Sequence, residues 1–95
     1  HMVNTPEVRF DCDDTRKFQV VDEVVASLRA QGADFSDVDG ARVSTPDGWW
    51  LLRASNTQPV LVVRCEAADE AGLARLKDAV TAALAPCGVT PPSDF

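Results

Sequence analysis

Trp49-Trp50-Leu51-Leu52-Arg53-Ala54-Ser55-Asn56-Thr57-Gln58-Pro59-Val60-Leu61-Val62-Val63 is the stretch on which the fold turns. Two short apolar runs, Trp49 to Leu52 and Val60 to Val63, are rich in aromatic and β-branched residues and predict strands. The polar residues between them have to reverse the chain, so the stretch reads as a hairpin with Arg53 to Pro59 at its tip. Val60 to Val63 is apolar on both faces, which predicts a central strand. Trp49 and Trp50 are adjacent and point to opposite faces. One joins the core; the other covers a neighbouring loop or meets something outside the chain.

Upstream, Pro46-Asp47-Gly48 is a strong turn signal, and Ala41-Arg42-Val43-Ser44 before it predicts another short strand. The acidic segment Ala33 to Gly40 is weaker, with Phe35 and Val38 as anchors and a short edge strand expected near Val38. Arg16 to Gln31 has a helical pattern. Phe18, Val21, Val25 and Leu28, with Val24 beside them, form one apolar stripe, and Gly32 stops it. Asp13-Asp14-Thr15 suits the helix start. Glu7-Val8-Arg9-Phe10-Asp11-Cys12 alternates and predicts a half-buried strand.

Downstream, Asp69-Glu70 open a second helix whose stripe is Leu73, Leu76, Val80 and Leu84, and Pro86 and Gly88 end it. The order is strand, helix, two to four strands, helix. Short connections after the first helix make the sheet mainly antiparallel. The fold class is therefore α+β, a sheet of about four to five strands with two helices on one face. One domain is expected over residues 3–89. His1-Met2 reads as a cloning scar, and residues 90–95, with two prolines and little to bury, as a loose tail.

With 95 residues and 45% apolar content, this is a single globular domain's worth of chain. The net charge of −6 argues against nucleic acid or an anionic membrane as partner. No apolar run approaches the length of a membrane span. Cys12, Cys65 and Cys87 are scattered without metal-ligand spacing, which suggests ordinary thiols in a reducing compartment, and the cytoplasm is the simplest location. The only histidine is His1, so a histidine-based triad or metal site is excluded. A monomer is expected.

The candidate chemistry sits in the hairpin tip. Arg53 offers a planar fork that matches phosphate oxygens, Ser55 and Thr57 add hydroxyls, Asn56 adds an amide, and a tight loop can point backbone N–H groups into one concavity. Such a site binds and orients; it contains no nucleophile with a base beside it. The same residues also make an ordinary turn, with Arg53 paired to a nearby Asp.

Asp47-Gly48-Trp49, then Arg53-Ala54-Ser55-Asn56-Thr57-Gln58-Pro59-Val60-Leu61, then Arg64-Cys65-Glu66-Ala67, resembles the C-terminal, fourth domain of the α-D-phosphohexomutases, in particular the bacterial phosphomannomutase/phosphoglucomutase branch. The phosphoglucosamine mutase branch typically has Ser-Gly-Thr where this chain has Ser55-Asn56-Thr57. The resemblance extends over most of the chain, including the Lys17-Phe18 start of the helix. It implies a TATA-binding-protein-like α+β domain. It also implies an enzyme that interconverts the 1-phospho and 6-phospho forms of glucose or mannose through a bisphosphorylated intermediate. By resemblance, Arg53, Ser55, Asn56 and Thr57 contact the non-reacting phosphate of the hexose phosphate, and the domain closes the cleft against the other three domains. The resemblance places the phosphoserine and the Mg²⁺ site in those earlier domains. No cofactor is expected here, Asp11-Cys12-Asp13-Asp14 reads as a solvated cap rather than a metal loop, and the chain alone is expected to be inactive. The alternative is a free-standing, non-catalytic α+β interaction module.

Overall fold

The structure is a computed structural model and describes residues 2–95; His1, half of the expected scar, lies outside them. The elements are β1 (Val3–Asn4), β2 (Val8–Asp11), α1 (Lys17–Ala30), β3 (Phe35–Ser36), β4 (Ala41–Thr45), β5 (Gly48–Ala54), β6 (Val60–Ala67), α2 (Glu70–Leu84) and a 3-10 turn at Ala85–Cys87. The strands form one six-stranded sheet in which every pairing is antiparallel. Its order is β3-β4-β5-β6, with β1 and β2 sharing the far side of β6.

Alternation decides which face is covered. Phe10, Val43, Trp50, Leu52, Leu61, Val63 and Cys65 all project to one side and pack against Val20, Val24 and Leu28 of α1 and Leu73, Leu76, Val80 and Leu84 of α2. The α+β arrangement with both helices on one face is thus as expected. β6 is the central strand, paired on both sides; Leu61 and Val63 lie under the helices, while Val60 and Val62 are buried on the opposite face. The two tryptophans separate as adjacent strand residues must. Trp50 is buried, whereas Trp49 stands on the helix-free face with the Arg42 guanidinium 4.3 Å and the Arg64 guanidinium 5.9 Å from its ring.

Several expectations need correction. There are six strands, not four or five. The extra one, β1, is two residues long and cut off by Pro6, too short to leave a pattern. The edge strand after α1 centres on Phe35, and Val38 is 93% exposed in the following turn. Phe18 is 54% exposed; the buried stripe of α1 runs Lys17, Val20, Val24, Leu28, rotated from the expected one. The tail also buries more than expected, since the Phe95 ring lies edge-on against Phe10 with centroids 4.9 Å apart.

The turns follow their chemistry. Thr45 and Gly48 pair across the Pro46-Asp47 reversal. Gly48 has φ +148°, and a Cβ there would sit 2.9 Å from the Ala67 Cα of the neighbouring strand, so only glycine fits. Asp47 accepts two hydrogen bonds from Arg75 of α2, at 2.8 and 2.6 Å, which tie the hairpin to the helix and hold its carboxyl below the usual range. Asp69 caps α2 by accepting from the Gly72 N–H at 2.7 Å.

Candidate functional site

Strand β5 runs through Ala54, so the loop proper is Ser55–Pro59. Its shape comes largely from Ser55. The Ser55 hydroxyl accepts from the backbone N–H groups of Thr57 (3.3 Å) and Gln58 (3.2 Å), and the Ser55 N–H donates to the Val60 carbonyl at 3.1 Å. Two loop N–H groups that could have faced an anion are therefore turned onto Ser55 in this state. Asn56 and Thr57 are exposed at the tip.

The exit of the loop is pinned by the start of α1. The Lys17 ammonium donates to the Gln58 carbonyl (3.0 Å) and pairs with Asp14 (2.6 Å), while the Cys12 N–H donates to the Pro59 carbonyl (3.0 Å). Lys17 is only 3% exposed. A lysine buried this deeply requires partners for its charge, and here one of them is the loop backbone. Asp13 closes the preceding turn, its carboxylate accepting from the Thr15 N–H and hydroxyl at 3.0 Å each. The acidic cluster at the end of β2 thus has structural partners: Asp13 shapes the turn and Asp14 neutralises Lys17. Lys17→Met keeps the apolar stem but removes the donor. It should cost about 1–3 kcal/mol, and the loop amides of residues 55–58 should exchange hydrogen faster than in the parent. Loss of stability with unchanged loop protection would show that Lys17 does not hold the loop.

Arg53 stands at the end of β5 on the helix-free face. Its guanidinium lies 3.6 Å from Glu7, and its side chain is 41% exposed. The acidic partner is a glutamate before β2, not the nearby aspartate that the turn reading supplies. Gly40 backs the arginine: φ there is +80°, and a Cβ would come within 2.8 Å of the Arg53 Cβ. Arg53, Ser55, Asn56, Thr57 and Gln58 line a single open cleft of about 440 Å³ together with Glu7, Arg9 and Val62. All four residues expected from the sequence are thus brought to one concavity. Arg64 points to the same face but pairs with Trp49, away from that cleft.

Glu7, Arg9 and Lys17 were not among the expected site residues. Lys17 carried a signal: a cation on the 17-20-24-28 stripe of an amphipathic helix has no solvent to reach and needs a partner. A larger cavity, about 540 Å³, opens between the two helices and β4 and is lined chiefly by Leu28, Val43, Trp50, Ala79, Ala82 and Ala83. It gathers no anion-binding group comparable to Arg53, so chemistry rather than size identifies the candidate site.

The cleft can bind and orient an anion but has no activated nucleophile. Burial pushes the Cys65 thiol up to about 11 and raises Cys12 and Cys87 as well, so all three stay protonated near neutral pH. Among the described residues no group of three side chains is placed to hold a metal ion, and no helix is long and apolar enough to cross a membrane.

These features define a class: a small α+β domain, an antiparallel sheet backed by two helices, with a polar loop between its two longest strands and an arginine at the end of the first of them. Residues 7–83 match the family model described as phosphoglucomutase/phosphomannomutase, C-terminal domain, and the chain belongs to that family. A phosphomannomutase/phosphoglucomutase of Pseudomonas putida is 43% identical over 76 residues, 80% of this chain and 16% of that protein. A phosphoglucomutase of Neisseria meningitidis serogroup A is 40% identical over 78 residues, 80% of this chain and 17% of its own length. A solved phosphoglucomutase/phosphomannomutase family protein from Burkholderia thailandensis superposes with a TM-score of 0.78 at 38% identity, covering 97% of this chain and 19% of that one. The chain thus spans about a sixth of the length of the curated relatives it matches.

Proposed function

We infer that this domain grips the non-reacting phosphate of a hexose phosphate and helps close the active-site cleft of a phosphomannomutase/phosphoglucomutase. The observation that carries this reading is the convergence of Arg53 with Ser55, Asn56 and Thr57 on one open cleft. Arg53 supplies the fork, Asn56 and Thr57 the exposed donors at the tip, and Ser55 holds the turn while its own O–H stays available to donate. Two or three charge-assisted hydrogen bonds at about 1.5–3 kcal/mol each sum to about 3–9 kcal/mol, and the lost translational and rotational freedom, at least about 4 kcal/mol, offsets most of that, so the dissociation constant lies in the millimolar range. The domain alone therefore binds weakly and turns nothing over.

In this reading the phosphoryl transfer between the 1- and 6-positions of glucose or mannose belongs to the other domains of a cytoplasmic, monomeric enzyme. In this reading the phosphoserine and Mg²⁺ sit there too. When bound, the ion supplies charge stabilisation for the transferring group; the residues described here hold the far end of the substrate in line.

Titrating the 95-residue chain with glucose 1-phosphate, glucose 6-phosphate and free glucose tests the reading. Both esters should shift the amide resonances of residues 53–58 and leave the helices unmoved, and glucose should do nothing. Equal response to glucose, or none to the esters, would overturn it. A second reading, a protein-interaction module, draws on Trp49 between Arg42 and Arg64 on the helix-free face. It predicts shifts centred on Trp49 when a partner protein is added and none at the loop with phosphate esters.

A further inference from the structure

Arg9 of β2 and Arg53 of β5 both stand opposite the same residue, Val62 of β6. They therefore flank one strand on the helix-free face, with backbones about 10 Å apart at ordinary strand spacing. Both line the cleft that holds the polar loop. Glu7 lies between them, one carboxylate oxygen 3.6 Å from Arg53 and the other 3.9 Å from Arg9.

The position of Glu7 has a backbone cause. The Thr5 N–H donates to the Cys65 carbonyl at 2.9 Å, and the Thr5 hydroxyl accepts from the Cys65 N–H at 3.0 Å. Val8 is already opposite Val63. Pro6 and Glu7 together therefore face the single residue Arg64. That is one residue too many on the edge, a bulge between β1 and β2, and such bulges re-aim a side chain. Here the re-aimed side chain is a carboxylate, directed at two guanidiniums.

We propose that Glu7 and Arg9 complete the anion site. Glu7 is an internal stand-in for the ligand, seating the two guanidiniums while the cleft is empty, and a phosphate monoester displaces it to take Arg53 and Arg9 together. The proposal rests on the phosphate reading above and adds two residues to it. The exchange is favourable in direction. The Glu7 contacts are long, and the three side chains are 41–60% exposed, so the pairs are weak and screened. A phosphate dianion brings twice the charge and three oxygens to the same two forks. With Glu7 in place the three side chains sum to a charge of +1, so Glu7 also limits how tightly phosphate is held.

The test is a titration of the 95-residue chain with inorganic phosphate at constant ionic strength, following the Asn56 and Thr57 amides. The parent is compared with Glu7→Gln, Arg9→Gln and Arg53→Ala, each first shown to keep the parent's amide pattern elsewhere. Glu7→Gln should tighten binding and Arg9→Gln should weaken it, each by about twofold to fivefold. A parent that binds phosphate while Glu7→Gln and Arg9→Gln match it overturns this proposal and leaves the phosphate reading standing, as does a Glu7→Gln chain that binds more weakly. No response in the parent loop overturns both.

Discussion

In a full-length mutase carrying this domain, Arg53→Ala should lower kcat/KM by about 10²–10³-fold. The substitution leaves the fold intact, because the Arg53 side chain lies on the helix-free face at the end of β5 and is 41% exposed. What it removes is the guanidinium set at the foot of the Ser55–Pro59 loop. The phosphate it is proposed to hold is not the one being transferred, so the loss acts through orientation. Binding energy from the far end of a substrate positions the near end, and a small misplacement is costly. The loss should therefore appear in kcat as well as in KM. Arg53→Lys should recover only part of it, since an ammonium keeps the charge but not the bidentate fork. Steady-state kinetics would measure this, and an Arg53→Ala enzyme with unchanged kcat/KM would contradict it.

The second large effect is on stability. Phe10→Ala should destabilise the domain by about 3–5 kcal/mol, against a total of about 5–14 kcal/mol for a chain of this size. Phe10 has no exposed surface, faces Leu61 across the β2–β6 pairing and carries the Phe95 ring edge-on. Its removal leaves a cavity under the central strand and takes away the surface on which the C-terminus rests. The melting temperature should fall by about 4–8 °C for each kcal/mol. Phe18→Ala, by contrast, should stay within about 0.5 kcal/mol, because that ring is 54% exposed. Thermal melts of the two variants side by side separate the observed core from the one the helical spacing suggested.

That pair also shows what could be read from the residues and what could not. The hairpin, the second helix and the central place of Val60–Val63 follow from local pattern, because alternation and capping are properties of a few neighbouring residues. The rotation of α1 is not local. Phe18 and Lys17 are adjacent, and hydrophobicity alone puts the ring inside and the lysine outside. The fold inverts this because the Gln58 carbonyl and the Asp14 carboxylate wait at the position where Lys17 arrives. The same holds for the site. Arg53, Ser55, Asn56 and Thr57 were visible as a motif within five residues. Glu7 and Arg9 reach that cleft only through the register of β2 against β6 and the bulge at Pro6-Glu7, which no spacing in the sequence announces. Phe95 follows two prolines in a stretch with little to bury, and its contact with Phe10 spans nearly the whole chain.

The most direct test is a crystal structure of the multidomain enzyme carrying this domain with glucose 1-phosphate bound. Phosphate oxygens should lie about 2.7–3.1 Å from the Arg53 guanidinium and from donors of Asn56 and Thr57, with Glu7 turned away from Arg53. A substrate phosphate held wholly by other domains, with residues 53–58 facing open solvent and Arg53 still paired to Glu7, would contradict it.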